Sequence, residues 1–468
     1  MGGIRRGGWG VWVLVLALGP GALPVAGAND LLQLYRLAQN HDATLQAALA
    51  QRDAAIEAKP QALALLLPQV SANASAERER LGEQLIAPQT VASTTITGCQ
   101  IAAGAATQVC FGDGHGYGLN LSQTLWSFQS FSQLREASAT AAAAEANLLA
   151  AQQALLLRVA QAYFGVLSAH DALVTNQGAR QSYSVLLNQA RGRQQTGVGP
   201  RSDSEQAQAY YDQTAQSVID SQNALDDAEL LLSEVTGAPA AMVAALRDPI
   251  PLESPDPASV EDWVSAALKD NPLVRAAQLQ VAAADRDIDV QHGKGLPSVV
   301  LAAGRNRGWG DLTIGGSSAD DQIGVSVTWP LFQGGAVASQ VRQSRALWKQ
   351  ALAVYAGAQR DAERLTRSSY RDVVTGISRI AAAHRSQESA GVAVEASKRN
   401  LEFALGTSAE FNLLSTQNSY FVAQLLYSQT RYDYLTALLT LKQQAGRLSE
   451  GDLAGIDALL VEHTPATP

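Results

Sequence analysis

Two helical stretches of about seventy residues, ~128–196 and ~336–404, restrict this chain more than any other feature. Each follows a short alternating segment. In VTWPLFQGG (327–335), Val325, Val327 and Trp329 fall on one face and Ser326 and Thr328 on the other. Pro330 and Gly334-Gly335 then interrupt the strand before the helix begins. SQTLWSFQS (122–130) repeats the arrangement about two hundred residues earlier. At ~1.5 Å rise per residue such helices span roughly 100 Å, too long for the core of an ordinary domain. Leu149, Leu156 and Tyr163 recur every seven residues, as do Val159, Val166 and Leu173. These rows predict heptad a and d positions packed against another helix along its length, with Gln152 and His170 as packed polar groups in the same rows.

The chain is a tandem duplication. LYRLAQNHDATLQAA (34–48) aligns with WVSAALKDNPLVRAA (263–277) at an offset of 229, and Leu67-Pro68 keeps that offset to Leu296-Pro297. Beyond the loops the offset falls to 206 or 207, because the first loop carries about 23 extra residues that include Cys99 and Cys110. The predicted organisation is a leader (1–28), a first repeat (29–237), a Pro-rich linker (238–258), a second repeat (259–447) and a tail (448–468). Each repeat reads helix, strand, loop, strand, long helix, break, helix, with hairpins at ~67–125 and ~296–332 and tip turns at ~196–203 and ~405–411. The returning helices are half as long as the helices before the breaks, so two short helices are expected to stack end to end beside each long one.

Arg5 and Arg6, the apolar run Val11–Leu18 and the small residues Ala26-Gly27-Ala28 predict a removed secretory leader, the run being too short to span a membrane. Loss of its two positive charges takes the formal charge from −9 to −11, which argues against nucleic acid as a partner. Outside the cytoplasm, Cys99 and Cys110 are expected to form a local disulfide. The six histidines (His41, His115, His170, His292, His384, His463) are scattered without metal-ligand spacing, and no cofactor is expected. GDGHGYG (112–118) lacks the Gly-Lys-Ser/Thr ending of a phosphate loop and is read as a turn entering a membrane. No nucleophile constellation or nucleotide site points to an enzyme.

A hairpin with one apolar and one polar face fits a wall between lipid and water. Four strands cannot close a barrel, and an open sheet edge cannot exist in lipid because its amides lack partners. The chain must therefore oligomerise; two copies would close a side-chain-filled barrel, whereas three would give twelve strands and room for water. Trp126, Phe128, Trp329 and Phe332, beside Pro330 and Gly334-Gly335, mark the expected interfacial girdle. A secreted coiled-coil rod without a pore is the alternative.

The duplicated plan, the Leu-Pro before each odd strand, the junctions LSQTLWSF and SVTWPLFQGG, and the tips VGPRSDSEQAQAYYD and LGTSAEFNLLSTQNSY resemble the TolC family of outer-membrane efflux and secretion channels. The resemblance covers essentially all of the mature chain. It implies a mainly α homotrimer, with a twelve-stranded barrel in the outer membrane of a Gram-negative cell continued by a long α-helical barrel across the periplasm. It also implies a periplasmic adaptor (membrane fusion protein) and an inner-membrane transporter of RND or ABC type. The cargo is drugs or other small compounds in some members and whole proteins in others. Around Gly406 the family's closing tyrosine and arginine are replaced by Phe403 and Ser408, and its acidic ring positions by Asn412 and Ser415. Near Gly199, Asp203 or Glu205 takes the acidic role on the first tip. The expectation is that closure depends on packing around Phe403 and on Glu410.

Overall fold

The computed structural model describes residues 31–84, 99–100, 107–238, 243–310, 317–403 and 409–461. The leader and the last residues of the tail lie outside them. The first helical segment is broken where short polar side chains compete for the backbone. Helix α1 (Leu31–His41) ends at Asp42, whose Oδ1 accepts from Leu45 N at 2.6 Å and starts α2 (Ala43–Ile56), followed by α3 (Ala58–Ala64). The hairpin strands β1 (Gln69–Gln84) and β3 (Thr107–Ser127) follow, with β2 (Cys99–Gln100) paired to β3. Then come α4 (Phe128–Gln195), α5 (Arg201–Thr236), β4 (Ala245–Leu246), α6 (Val260–Asp270), α7 (Pro272–Gly293), β5 (Ser298–Gly310) and β6 (Ser317–Thr328). The chain ends with α8 (Ala336–Glu402), α9 (Ala409–Gln444), α10 (Glu450–Asp457) and β7 (Leu460–Val461). The protein is mainly helical with a small sheet.

The long strands form one antiparallel sheet in the order β1-β3-β5-β6. Much of what the sequence predicts as loop is strand. In particular, GDGHGYG is not a turn: it runs through the middle of β3, where Tyr117 stands opposite both Ala74 and Arg307. Its glycines mislead because they read as turn residues. Here they clear space for the neighbouring chain: a Cβ on Gly116 would lie 2.9 Å from the Arg307 carbonyl oxygen, and one on Gly118 would strike the Asn306 side chain.

The helices stand as four columns in the same order as the strands. Helix α4 packs on α5 and α2–α3 on one side and on α7 and α9 on the other, and α8 packs on α7 and α9. The side-chain contacts define the stacking. Asn176 on α4 donates to Ser221 Oγ on α5 at 2.6 Å, and Arg158 on α4 reaches Asp42 at the start of α2 at 2.9 Å, so α5 and α2 divide the length of α4 between them. Five of the six heptad residues are buried, Leu156, Tyr163, Val159, Val166 and Leu173, whereas Leu149 is 45% exposed. The buried polar residue is Gln153 rather than Gln152. Its amide donates to the Gly446 and Leu448 carbonyls at 3.1 and 3.3 Å, partners that appear only once the C-terminal segment wraps around this level.

That wrapping makes a belt at mid-height. The Pro-rich segment is docked rather than free: Val243, Ala244, Leu246 and Ile250 are buried, Tyr163 Oη donates to Ala244 O at 2.8 Å, and β4 pairs with β7. Asn271 closes the belt, accepting from Leu273 N at 2.9 Å and Val274 N at 3.4 Å as the cap of α7 while its amide donates to Gln444 O at 2.8 Å. Replacing Asn271 with Ala removes the cap and this buried bond. The expected loss is about 2 kcal/mol, read by denaturant unfolding followed by circular dichroism.

Candidate functional site

Two regions concentrate the candidate residues: the hairpin tips at one end of the columns and the strand-to-helix junctions at the other. At the first junction a bulge between Thr124 and Trp126 twists β3, and Ser127 Oγ accepts from Ser130 N at 3.2 Å to start α4 at Phe128. The second junction uses glycine instead. Gly334 and Gly335 have φ of 60° and 81°, conformations that strain any other residue, and Gly335 O accepts from Ser339 N at 3.0 Å to start α8. Trp126, Trp329 and Leu331 are exposed on the single chain, and Phe332 is 87% exposed; Phe128 and Pro330 are half-buried. The junction thus presents unpartnered aromatic surface where strand becomes helix.

At the first tip, Thr196 ends α4 and the chain reverses through Gly197, with Gly199 in the same turn. Gly197 carries the left-handed φ of 76°, and Val198 N and Gly199 N donate to Arg193 O at 3.0 and 3.1 Å. Pro200 precedes the first residue of α5. Glu205 is exposed and pairs with Arg201 at 3.0 Å, whereas Asp203 lies beside Glu410 of the second tip.

Glu410 is the residue that joins the tips. It lies in the first turn of α9 and is 6% exposed, with Arg193 Nη2 of α4 2.6 Å from its Oε2. Burial pushes its carboxyl above the ordinary carboxylate range; Arg193 pulls it down, and the neighbouring Asp203 adds to the rise. Around the pair, Tyr183, Leu186, Leu187 and Ala190 of α4 pack with Ala207 of α5, Val394 of α8 and Leu413 and Leu414 of α9. Arg193 was not among the residues picked out from the sequence. It stands 217 positions before Glu410, and no local pattern links the two. Phe403, by contrast, is 71% exposed at the C-cap of α8. Asn412 is exposed and Ser415 half-buried, their carbonyls accepting from Thr416 Oγ1 and Ser419 Oγ; Gly406 and Ser408 lie outside the described residues.

Cys99 and Cys110 stand directly opposite each other where β2 pairs with β3. Their side chains, and so the expected disulfide, lie outside the description.

The family description "Outer membrane efflux protein" matches residues 34–238 and 263–447. The chain belongs to the outer membrane efflux protein family. It is 30% identical over 441 residues to the outer membrane protein TolC of Vibrio cholerae, covering 92% of this chain and 94% of that one. It is 27% identical over 353 residues to the alkaline protease secretion protein AprF of Pseudomonas aeruginosa, covering 74% and 73%. The crystal structure of the Campylobacter jejuni CmeC outer membrane channel superposes with a TM-score of 0.75 at 18% identity, covering 92% of this chain and 90% of that one. This efflux-family chain is thus an outer-membrane export channel of a Gram-negative bacterium, extending into the periplasm. The poreless rod is not favoured. Among the described residues no helix is long and apolar enough to cross a membrane, which says nothing of a β-barrel.

The Arg193–Glu410 pair gives a measurable coupling. Arg193→Ala leaves a buried carboxyl without its cation, and each single alanine variant is expected to cost about 2–3 kcal/mol. A double-mutant cycle should return a coupling of about 1–2 kcal/mol; additive losses would show that the two residues act independently.

Proposed function

We propose that three copies of this chain close around a shared axis to form the exit duct of a tripartite efflux or type I secretion system. The observation that carries this reading is the matching pair of open edges. Among the described residues, β1 and β6 each have one strand neighbour in the sheet; in the helical layer the α2–α3/α5 column packs mainly on α4, with a smaller contact between α5 and α9, and α8 packs on the column of α6, α7 and α9. Both layers therefore end at the same two sides of the chain, one side from its beginning and one from its second half. A head-to-tail contact joins these sides and closes into a ring. The even number of long antiparallel strands lets β6 of one copy meet β1 of the next with the alternation unbroken.

The inward face favours three copies over two. Its rows hold Ser71, Asn73, Asn120, Asn306, Asp320, Gln322 and Ser326 with Val300 and several glycines, a set too small and too polar to fill an eight-stranded barrel. The outward face carries Val70, Leu119, Leu121, Leu301, Val325 and Val327.

The two halves act as structural repeats. The bounds of α1 and α6, of α2–α3 and α7, and the starts of β1 and β5 all differ by 229 residues. The leader directs export, the belt of residues 243–259 and the C-terminal segment clamps the halves, and a disulfide joins Cys99 to Cys110. A periplasmic adaptor docks on the tips, and an RND- or ABC-type transporter supplies the energy. No reaction is assigned to the chain itself.

The tips form the gate. The Arg193–Glu410 pair holds the α8–α9 hairpin against α4–α5, and the exposed Phe403 is available to neighbouring copies near the axis. The ion pair needs the charged carboxylate, although burial alone favours the protonated one. Acidification through the raised range of Glu410 therefore removes its attraction to Arg193 before ordinary exposed carboxylates titrate.

Purified protein in planar bilayers tests the whole reading. We expect trimers by native mass spectrometry and a small resting conductance that rises several-fold as the pH falls. Glu410→Gln should have the higher conductance already at neutral pH and lose the pH response, and Phe403→Ala should also raise it. Monomers in silent bilayers would contradict the duct; wild-type conductance in both variants would contradict the gate.

A further inference from the structure

The outward face of the sheet is not apolar along its whole length. Residues paired in register share a face, so Ala72, Leu119, Arg305 and Asp321 form one outward row, and Ala74, Tyr117, Arg307 and Ala319 the next. The rows nearer the helices are uncharged: they hold Val70, Leu121, Ala303 and Ile323, then Gln123, Leu301 and Val325, then Trp126, Val299 and Val327. Charge therefore begins abruptly at the strand ends far from the helices. Since the helices extend into the periplasm, this is the level of the outer leaflet. The boundary runs obliquely across the strands, as it must where strands tilt by about 35–45°. Aromatic side chains mark the same level: Trp309 stacks on His115 and tilts on Tyr117, both at centroid distances of 5.6 Å.

The charges there do not balance. Arg307 is used up by the protein: its Nη1 and Nη2 meet Asp321 Oδ1 and Oδ2 at 2.8 and 3.0 Å, and Nη1 also donates to Asn306 O at 2.8 Å. Arg78 is likewise engaged with Asp113 at 2.8 Å. Arg305 reaches Asp321 only through Nε at 3.6 Å, and its Nη atoms have no hydrogen bond to any described residue. Its side chain is 68% exposed, on a surface shared with Leu119 and Tyr117. Three arginines face two aspartates on this strip among the described side chains, leaving one positive charge per chain at the edge of an apolar band. An unmatched cation beside hydrocarbon is costly unless an anion meets it, and a planar guanidinium with its fork free suits a phosphate.

We propose that Arg305, held in place by Asp321, binds the anionic phosphate headgroup of an outer-leaflet lipid. The proposal rests on the barrel reading above. The lipid's chains lie along Leu119, Leu121 and Val70 while the phosphate sits against the free side of the guanidinium. Three such sites, one per chain, collar the barrel at its outer rim.

The test uses the trimer in phosphatidylcholine nanodiscs doped with bis-phosphorylated lipid A, with native mass spectrometry counting the lipid A carried through detergent release. The wild type should retain lipid A, and Arg305→Gln should retain about tenfold less, as expected for loss of a charge-assisted hydrogen bond. Arg305→Lys should fall between them, because a point charge cannot make the bidentate contact. Equal retention by the wild type and Arg305→Gln would overturn the proposal, as would equal retention of dephosphorylated lipid A. Displacement of lipid A by millimolar inorganic phosphate would overturn it as well, by showing a free-anion site. Channel conductance, measured on the same preparations, separates the two readings. A conducting Arg305→Gln trimer with unchanged lipid A retention sinks the lipid site and leaves the duct intact.

Discussion

A backbone amide in hydrocarbon has no water to bond, and the rest of this structure answers to that fact. The sheet has two edges, β1 and β6, and each offers a row of donors and acceptors that a single chain leaves unmet. A soluble protein could cover such edges with a loop or a charged residue. A membrane wall cannot, and in the proposed barrel each edge meets the opposite edge of another copy. The helical layer repeats the problem with side chains instead of amides, since α5 leaves Ile219, Leu230 and Leu231 exposed and α8 leaves Leu347, Val354 and Val392 exposed.

For one ring to close in both layers, the sheet and the helices must keep the same column order, and the belt fixes that order. Tyr163, Gln153 and Asn271 each bond to backbone from a distant part of the chain, tying α4 and α7 to the linker and the C-terminal segment. On the same level Arg431 of α9 is buried between Asp171 of α4 and Asp248 of the linker, at 3.6 Å from each, with the Tyr427 ring 4.9 Å from its guanidinium carbon. Such a charge is tolerated where counter-ions meet it; here they come from the first half and the linker while the arginine comes from the second half, so the cluster ties the halves together. Toward the tips, among the described residues, the smaller apolar cluster, the Tyr183–Phe421 ring contact and the Arg193–Glu410 pair with Asp203 beside it hold the hairpins together.

The helices were legible in the sequence because their signals are local. Heptad spacing, Pro330 with Gly334-Gly335, and the Gly-Pro break at the first tip each act within a few residues of where they sit. The strands were legible only in part. β3 carries a glycine at every second position from 112 to 118, which reads as turn although the spacing serves close packing of neighbouring strands. The candidate gate was less legible still. Glu410 could be found because it is the nearest acid on its turn, but Arg193, Gln153 and the docking of residues 243–250 depend on contacts between segments hundreds of positions apart.

The meeting of β6 with β1 of the next copy can be trapped directly. In a Cys99→Ser, Cys110→Ser background, single cysteines would be placed along β1 at Ala72 or Ala74 in one copy and along β6 at Ile323, Val325 or Val327 in another. Mixed oligomers would then be oxidised in outer membranes. Ring closure through the open edges predicts covalent dimers for one set of outward pairs sharing a register, and none for cysteines moved by one residue onto the inward face. A failure of every β1–β6 pair to cross-link, in membranes where a control pair at Leu119 and Arg305 within one chain oxidises readily, would contradict the account.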